Sequence, residues 1–267
     1  MTFLDSVIAR QRETHSMLCV GLDPDPGRFP EGYGDDAEAI LRFNQMVIDA
    51  TAGYACCVKP QHAHYAARRA EAALEGTIEY AHSKGLPVLL DVKRADIGST
   101  AEYYAAEAFD RYGADAATVN PYLGQDALAP FLDRSDRGIV VLCRTSNPGG
   151  ADLQHLQLAE GGTLFEHVAR LASTQWNAAG NVLLLVGATR PAELRRVREI
   201  VGGMGLLLAG VGAQGADVRA MMEAGKGGGL IINSSRGVTY PDFTTGDPAT
   251  LVADAARKTR DEINQYL

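Results

Sequence analysis

The stretch Asp91-Val92-Lys93-Arg94-Ala95-Asp96 brings one amine and two carboxylates together at the end of an apolar run. On a strand, side chains alternate, so Asp91 and Lys93 project to one side and Val92 to the other. A lone Asp-x-Lys would serve equally as a structural ion pair at a strand end. Two additions point instead to a charged site: Lys59 ends a neighbouring apolar run, and Asp96 supplies a further carboxylate. The charges also decide what the lysine does. A Schiff-base lysine must lose its proton, which an apolar pocket or a second cation promotes. Flanking carboxylates favour the ammonium. Lys93 is therefore expected to donate a proton rather than attack, a role suited to quenching a carbanion as it forms.

A second constellation lies near the C-terminus. Gly210-Val211-Gly212-Ala213-Gln214-Gly215 matches G-x-G-x-x-G between an apolar run and a helical one. Alone it suggests a dinucleotide site, with a pyrophosphate on a helix N-terminus. Little chain remains to build a dinucleotide half, and the acidic residue expected ~20 positions later is absent. Arg236 facing a 2′-phosphate keeps an NADP-dependent oxidoreductase as an alternative. The other functional reading is a cradle for a single phosphate, made by the amides of Gly212 to Gly215, the Gln214 side chain and a bidentate Arg236. A plain turn is the structural alternative. His62 and His64 fall short of a metal-ligand set and are expected to be solvated or locally bonded, so no metal site is expected.

These residues need elements to hold them. Short, mostly apolar runs appear at Met17–Leu22, Ala55–Val58, Pro87–Val92, Ala116–Val119, Gly138–Cys143, Val182–Val186, Gly205–Ala209 and Gly229–Ile232. They read as parallel strands covered on both faces. Between them lie helical patterns at Ala37–Ala52, Tyr65–Ser83, Ser99–Tyr112, Leu164–Ala179, Pro191–Ile200 and Ala216–Ala224, with a last one at Pro248–Tyr266. Pro191 opens one helix, and Gly85, Gly113, Gly180 and Gly225 stand where others would stop. Eight alternations without a linker predict a single α/β domain over residues 1–267, a (β/α)₈ TIM barrel, with an open doubly wound sheet as the alternative. A barrel puts chemistry at the C-terminal strand ends. Those ends hold Asp23, Lys59, Asp91 to Asp96, Asn120, Thr145-Ser146-Asn147, Thr189-Arg190, the glycine cluster and Asn233 to Arg236, whereas the opposite ends are plain.

Composition narrows the class. Lys and Arg number 25 against 33 Asp and Glu, a net charge of −8 that would repel a nucleic-acid polymer. No apolar run approaches the ~18 residues that cross a membrane. The N-terminus lacks the basic-then-apolar order of a secretory signal. Cys19, Cys56, Cys57 and Cys143 have no C-x-x-C spacing and read as buried free thiols of a cytoplasmic protein.

Asp91-x-Lys93-x-x-Asp96-Ile97, with Lys59 upstream, resembles the orotidine 5′-phosphate decarboxylase family. Val20-Gly21-Leu22-Asp23-Pro24, Val58-Lys59-Pro60-Gln61, Arg144-Thr145-Ser146-Asn147-Pro148-Gly149 and Ile232-Asn233-Ser234-Ser235-Arg236-Gly237 look like its longer bacterial (type 2) branch. The resemblance runs from Gly21 to Gly237. It implies decarboxylation of orotidine 5′-phosphate to uridine 5′-phosphate, the last step of pyrimidine synthesis, without cofactor or metal. Lys93 would protonate C6 as CO₂ leaves, with Lys59, Asp91 and Asp96 completing the catalytic array. Asp23 and Lys59 would contact ribose and Ser146 the pyrimidine edge. Gln214 and Arg236 would contact the phosphate, and Gly212, Gly215 and Ser235 would be further substrate-binding residues. Asp96, Ile97 and Thr100 would act across a homodimer. Relatives often carry proline where Ala209 stands. Magnesium-dependent sugar-phosphate decarboxylases and synthases share Asp-x-Lys-x-x-Asp, but the Thr145–Gly149 segment favours a pyrimidine substrate. A non-catalytic nucleotide-binding barrel would have no use for Lys93 between carboxylates.

Overall fold

A computed structural model describes residues 1–210 and 217–267. Eight parallel strands, β1 (Leu18–Leu22), β2 (Cys57–Pro60), β3 (Leu89–Arg94), β4 (Ala116–Val119), β5 (Gly138–Arg144), β6 (Val182–Gly187), β7 (Leu206–Ala209) and β8 (Leu230–Ser234), form one sheet. Their order is β2-β1-β8-β7-β6-β5-β4-β3. The β2 and β3 edges meet through the parallel bridges Val58–Val88 and Gln61–Asp91. The sheet thus closes on itself as the expected (β/α)₈ barrel, not as an open doubly wound sheet.

The two-residue period of each strand sorts the core into two layers. Leu18, Val20, Leu90, Ala117, Ile139, Val141, Leu184 and Leu208 pack outward with the helices. Their neighbours Cys19, Cys57, Leu89, Ala116, Val140, Leu183, Leu185, Leu207 and Ile231 fill the barrel interior. The helix Phe3–Thr14 closes the floor: Phe3 and Val7 join the interior cluster. Thr2 and Asp5 cap it reciprocally at its start. Gly138 makes room for it, since a Cβ there would lie 2.3 Å from the Phe3 ring.

The strand ends differ modestly from the sequence reading, β2 and β8 each reaching further toward the C-terminal face. The stretch Tyr65–Ser83 is two helices, His62–Ala66 and Glu71–Ser83, separated where Arg69 adopts φ +54°. Tyr65 is tied there: its buried hydroxyl donates to Leu22 O and accepts from Asn44 Nδ2. Helical periodicity also misses the N-terminal helix and Gln125–Leu132, the latter because Pro130 lies inside it. Ser99–Tyr112 runs as a helix from Gly98 to Ala106 that widens into a π turn over Glu107–Arg111. All four cysteines are buried and unpaired. Among the described residues no helix is long and apolar enough to cross a membrane.

Candidate active site

Two residues beyond the apolar interior layer, the same inward alternation presents polar groups: Lys59 follows Cys57 on β2, Asp91 follows Leu89 on β3, and Thr118 follows Ala116 on β4. These side chains converge. Lys59 Nζ lies 2.9 Å from Asp91 Oδ2, and Lys93 Nζ lies 2.5 Å from Asp91 Oδ1. Thr118 Oγ1 donates to the same Oδ1 at 2.8 Å. Asp23, just past β1, places Oδ1 4.0 Å from Lys59 Nζ. That oxygen is buried and without a hydrogen-bond partner among the described residues.

The environment sets the charge states. Burial by itself would raise the carboxyl pKa of Asp91, but the Lys59 and Lys93 ammonium groups overcome it and hold the group far below the usual carboxylate range. Burial would likewise pull Lys59 down, yet Asp91 and Asp23 hold it above the ordinary lysine value. The asymmetry lies in exposure. Lys59 and Asp91 are each only 5% exposed, whereas the Lys93 side chain is 40% exposed. Lys59 is locked beneath the site, and Lys93 alone of the two faces the open end of the barrel. Its backbone is unusual too, with φ +47°.

The other expected residues are distributed over the same C-terminal face. Asp96 accepts from the Ile97 amide at 2.8 Å and makes no ion pair among the described residues. It does not join the Asp91–Lys93 cluster. Ile97 and Thr100 are exposed beside it. Ser146 follows β5 and packs its backbone on β6, where a Cβ at Gly187 would lie 3.0 Å from Ser146 N. Ser235 follows β8 and leans so closely on β1 that a Cβ at Gly21 would fall 1.8 Å from its Oγ. Arg236 is exposed next to it. Gly212, Gln214 and Gly215 lie outside the described residues. His62 and His64 do not share a site: His62 meets Tyr112 and Glu107, and His64 Nδ1 meets Pro24 O. Among the described residues no group of three or more His, Cys, Asp or Glu is placed to hold a metal ion.

Comparison with known proteins agrees with this geometry. Residues 16–243 match the Orotidine 5′-phosphate decarboxylase / HUMPS family. The chain belongs to that family. It is 52% identical, over 271 aligned positions covering all of both chains, to the orotidine 5′-phosphate decarboxylase of Aromatoleum aromaticum. It is also 52% identical, over 274 positions and again all of both chains, to that of Dechloromonas aromatica. The solved OMP decarboxylase of Leishmania donovani superposes with a TM-score of 0.86 at 38% identity, covering 100% of this chain and 98% of that one.

Within this orotidine 5′-phosphate decarboxylase barrel, three features escaped the sequence reading. Thr118 is a single hydroxyl in an otherwise apolar strand, and its partners lie across the sheet. Arg94 and Glu107 form a two-pronged ion pair, Nε and Nη2 at 2.9 and 3.0 Å, that ties the end of β3 to the following helix. Arg144, 2% exposed, places Nε 2.5 Å from Glu193 and donates Nη1 to Gln154 at 2.9 Å, so the segment carrying Ser146 is anchored at its root. Arg94 had a visible signal in its place inside the charged stretch, and Arg144 in its place at the head of the Thr145–Gly149 segment.

Proposed function

We propose that the chain decarboxylates orotidine 5′-phosphate to uridine 5′-phosphate, with Lys93 as the proton donor. The observation that carries this is the Lys59–Asp91–Lys93 array at the open end of the barrel, in a chain of this family. The C6–carboxylate bond breaks, its electron pair stays on C6, and CO₂ departs. The Lys93 ammonium gives a proton to C6 and is reprotonated from solvent. A positive charge held where C6 becomes a carbanion stabilises the transition state more than the ground state. Lys59 keeps Asp91 ionised, and Asp91 holds the Lys93 amine in place. Asp23 and Lys59 meet ribose hydroxyls, Ser146 the pyrimidine edge, and Ser235 and Arg236 the phosphate together with Gly212, Gln214 and Gly215.

The active unit in this reading is a homodimer in which Asp96, Ile97 and Thr100 complete the partner's site. Supporting it, Asp96 has no ion-pair partner among the described residues of its own chain. Ile97 and Tyr103 expose 60% and 77% of their surface nearby. Residues 1–267 act as one catalytic domain, and four free thiols suit the reducing cytoplasm.

The test is to mix the purified chain with orotidine 5′-phosphate and follow the orotate absorbance band. The band should disappear as one uridine 5′-phosphate forms per substrate consumed; an inert, folded sample would refute the assignment.

A further inference from the structure

We propose that Thr118 is a positioning residue for the proton-donating amine, its one hydroxyl holding both the backbone of Lys93 and the carboxylate that aims its ammonium. This rests on the reading of Lys93 as proton donor given above.

The argument begins at an interruption of the β3–β4 ladder. Leu89 pairs with Ala116 and Leu90 with Ala117, but the next pair is Arg94 with Val119. β3 thus runs on to Arg94 while β4 advances only from Ala117 to Val119. The surplus residues bulge out of the ladder, and Asp91 and Lys93 are among them. A bulge of this kind redirects side chains and leaves amides without ladder carbonyls. Lys93 shows both consequences. Its φ of +47° lies in the left-handed region that non-glycine residues adopt only when their surroundings impose it. Its N–H donates to Thr118 Oγ1 at 2.9 Å instead of to a strand carbonyl.

The hydroxyl then passes its own hydrogen on. Thr118 Oγ1 donates to Asp91 Oδ1 at 2.8 Å, the same oxygen that Lys93 Nζ meets at 2.5 Å. A closed ring results: Lys93 N–H, Thr118 hydroxyl, Asp91 carboxylate, Lys93 ammonium. Thr118 is fully buried, so water cannot replace it. The ring holds Lys93 at both ends, at its backbone and at its charge. A group that accepts and donates at one atom is required, which serine keeps and isosteric valine lacks. The groups proposed to bind ribose and phosphate lie on other strands and loops. Loss of the ring should therefore act on turnover rather than on nucleotide affinity.

The test measures kcat on orotidine 5′-phosphate and the Kd for uridine 5′-phosphate in Thr118→Val, Thr118→Ser and Lys93→Ala. Displacement of a catalytic group by a fraction of an ångström to one ångström predicts a kcat loss of about 30- to 100-fold in Thr118→Val. Its Kd should change by less than about threefold. Thr118→Ser should recover kcat to within about fivefold of wild type. If Thr118→Val fails to fold, Thr118→Ala takes its place with the same expected kcat loss and unchanged Kd. Native kcat in the valine or alanine variant, with Lys93→Ala inactive, overturns this inference and leaves the proton-donor reading standing. Equal losses in the serine and valine variants, or a parallel loss of affinity, also overturn it by making the role merely structural. Near-native kcat in Lys93→Ala overturns the proton-donor reading itself.

Discussion

Asp91 serves two ammonium groups with one carboxylate, which makes its ionisation a matter of stability as well as chemistry. Its folded pKa is depressed, so its contribution to stability is complete above the unfolded carboxyl value of about 4 and is lost as pH falls through the folded one. Asp91→Asn strands Lys59 without its nearest counter-charge and should lower stability by about 3 kcal/mol at pH 7. Denaturant titrations of the two proteins should show that difference constant from pH 7 to about 5 and shrinking below about 4. A difference that grew in acid would contradict the ion-pair account. At this scale Asp91, Lys93 and Lys59 were legible in the sequence as charges at the ends of apolar runs, although Lys93 meets Asp91 from a bulge at φ +47° and not from the regular strand that alternation assumes. Thr118 was not. Its role depends on which residue of β4 lies opposite a bulge in β3, and register across a sheet leaves no trace in a single strand's composition.

The elements divide the labour as a barrel requires, with polar side chains above the apolar interior and helix-capping structure below. The lower end has its own polar device in Arg198, on the helix Pro191–Val201. Its guanidinium donates to the carbonyls of Gly202, Met204, Gly225 and Gly229, joining the segments that lead into β7 and β8. Burial lowers its pKa. Arg198→Met removes those four hydrogen bonds, Gly229 O keeping only the Leu206 N–H, and should cost about 2–4 kcal/mol of stability, read from denaturation midpoints. Its kcat at a temperature where it stays folded should match wild type, since it lies at the end remote from the chemistry. A specific kcat loss without destabilisation would contradict this division. The strands themselves were legible because buried parallel strands read as continuous apolar runs. The break at Arg69 was not, since a run of good helix formers carries no mark of the point where Tyr65 is tied to β1.

For the whole molecule, the sequence showed a net charge of −8 that concealed a local cluster of cations, and the barrel explains how both hold: acidic groups spread outside while Lys59 and Lys93 point inward. The shared-site dimer belongs to this scale. Lys93→Ala and Asp96→Ala, each inactive by itself, should regain activity when mixed, toward about a quarter of the wild-type sites if subunits exchange at random. Mixed subunits that form heterodimers yet stay inactive would contradict a shared site. The most direct measurement concerns the reaction itself: turnover of orotidine 5′-phosphate by the wild-type chain in ²H₂O with excess chelator, the product read by NMR. Proton delivery from an exchangeable lysine predicts uridine 5′-phosphate carrying one deuterium at C6 for each CO₂ released. Unchanged substrate, product with ordinary hydrogen at C6, or turnover that starts only when magnesium is restored would contradict it.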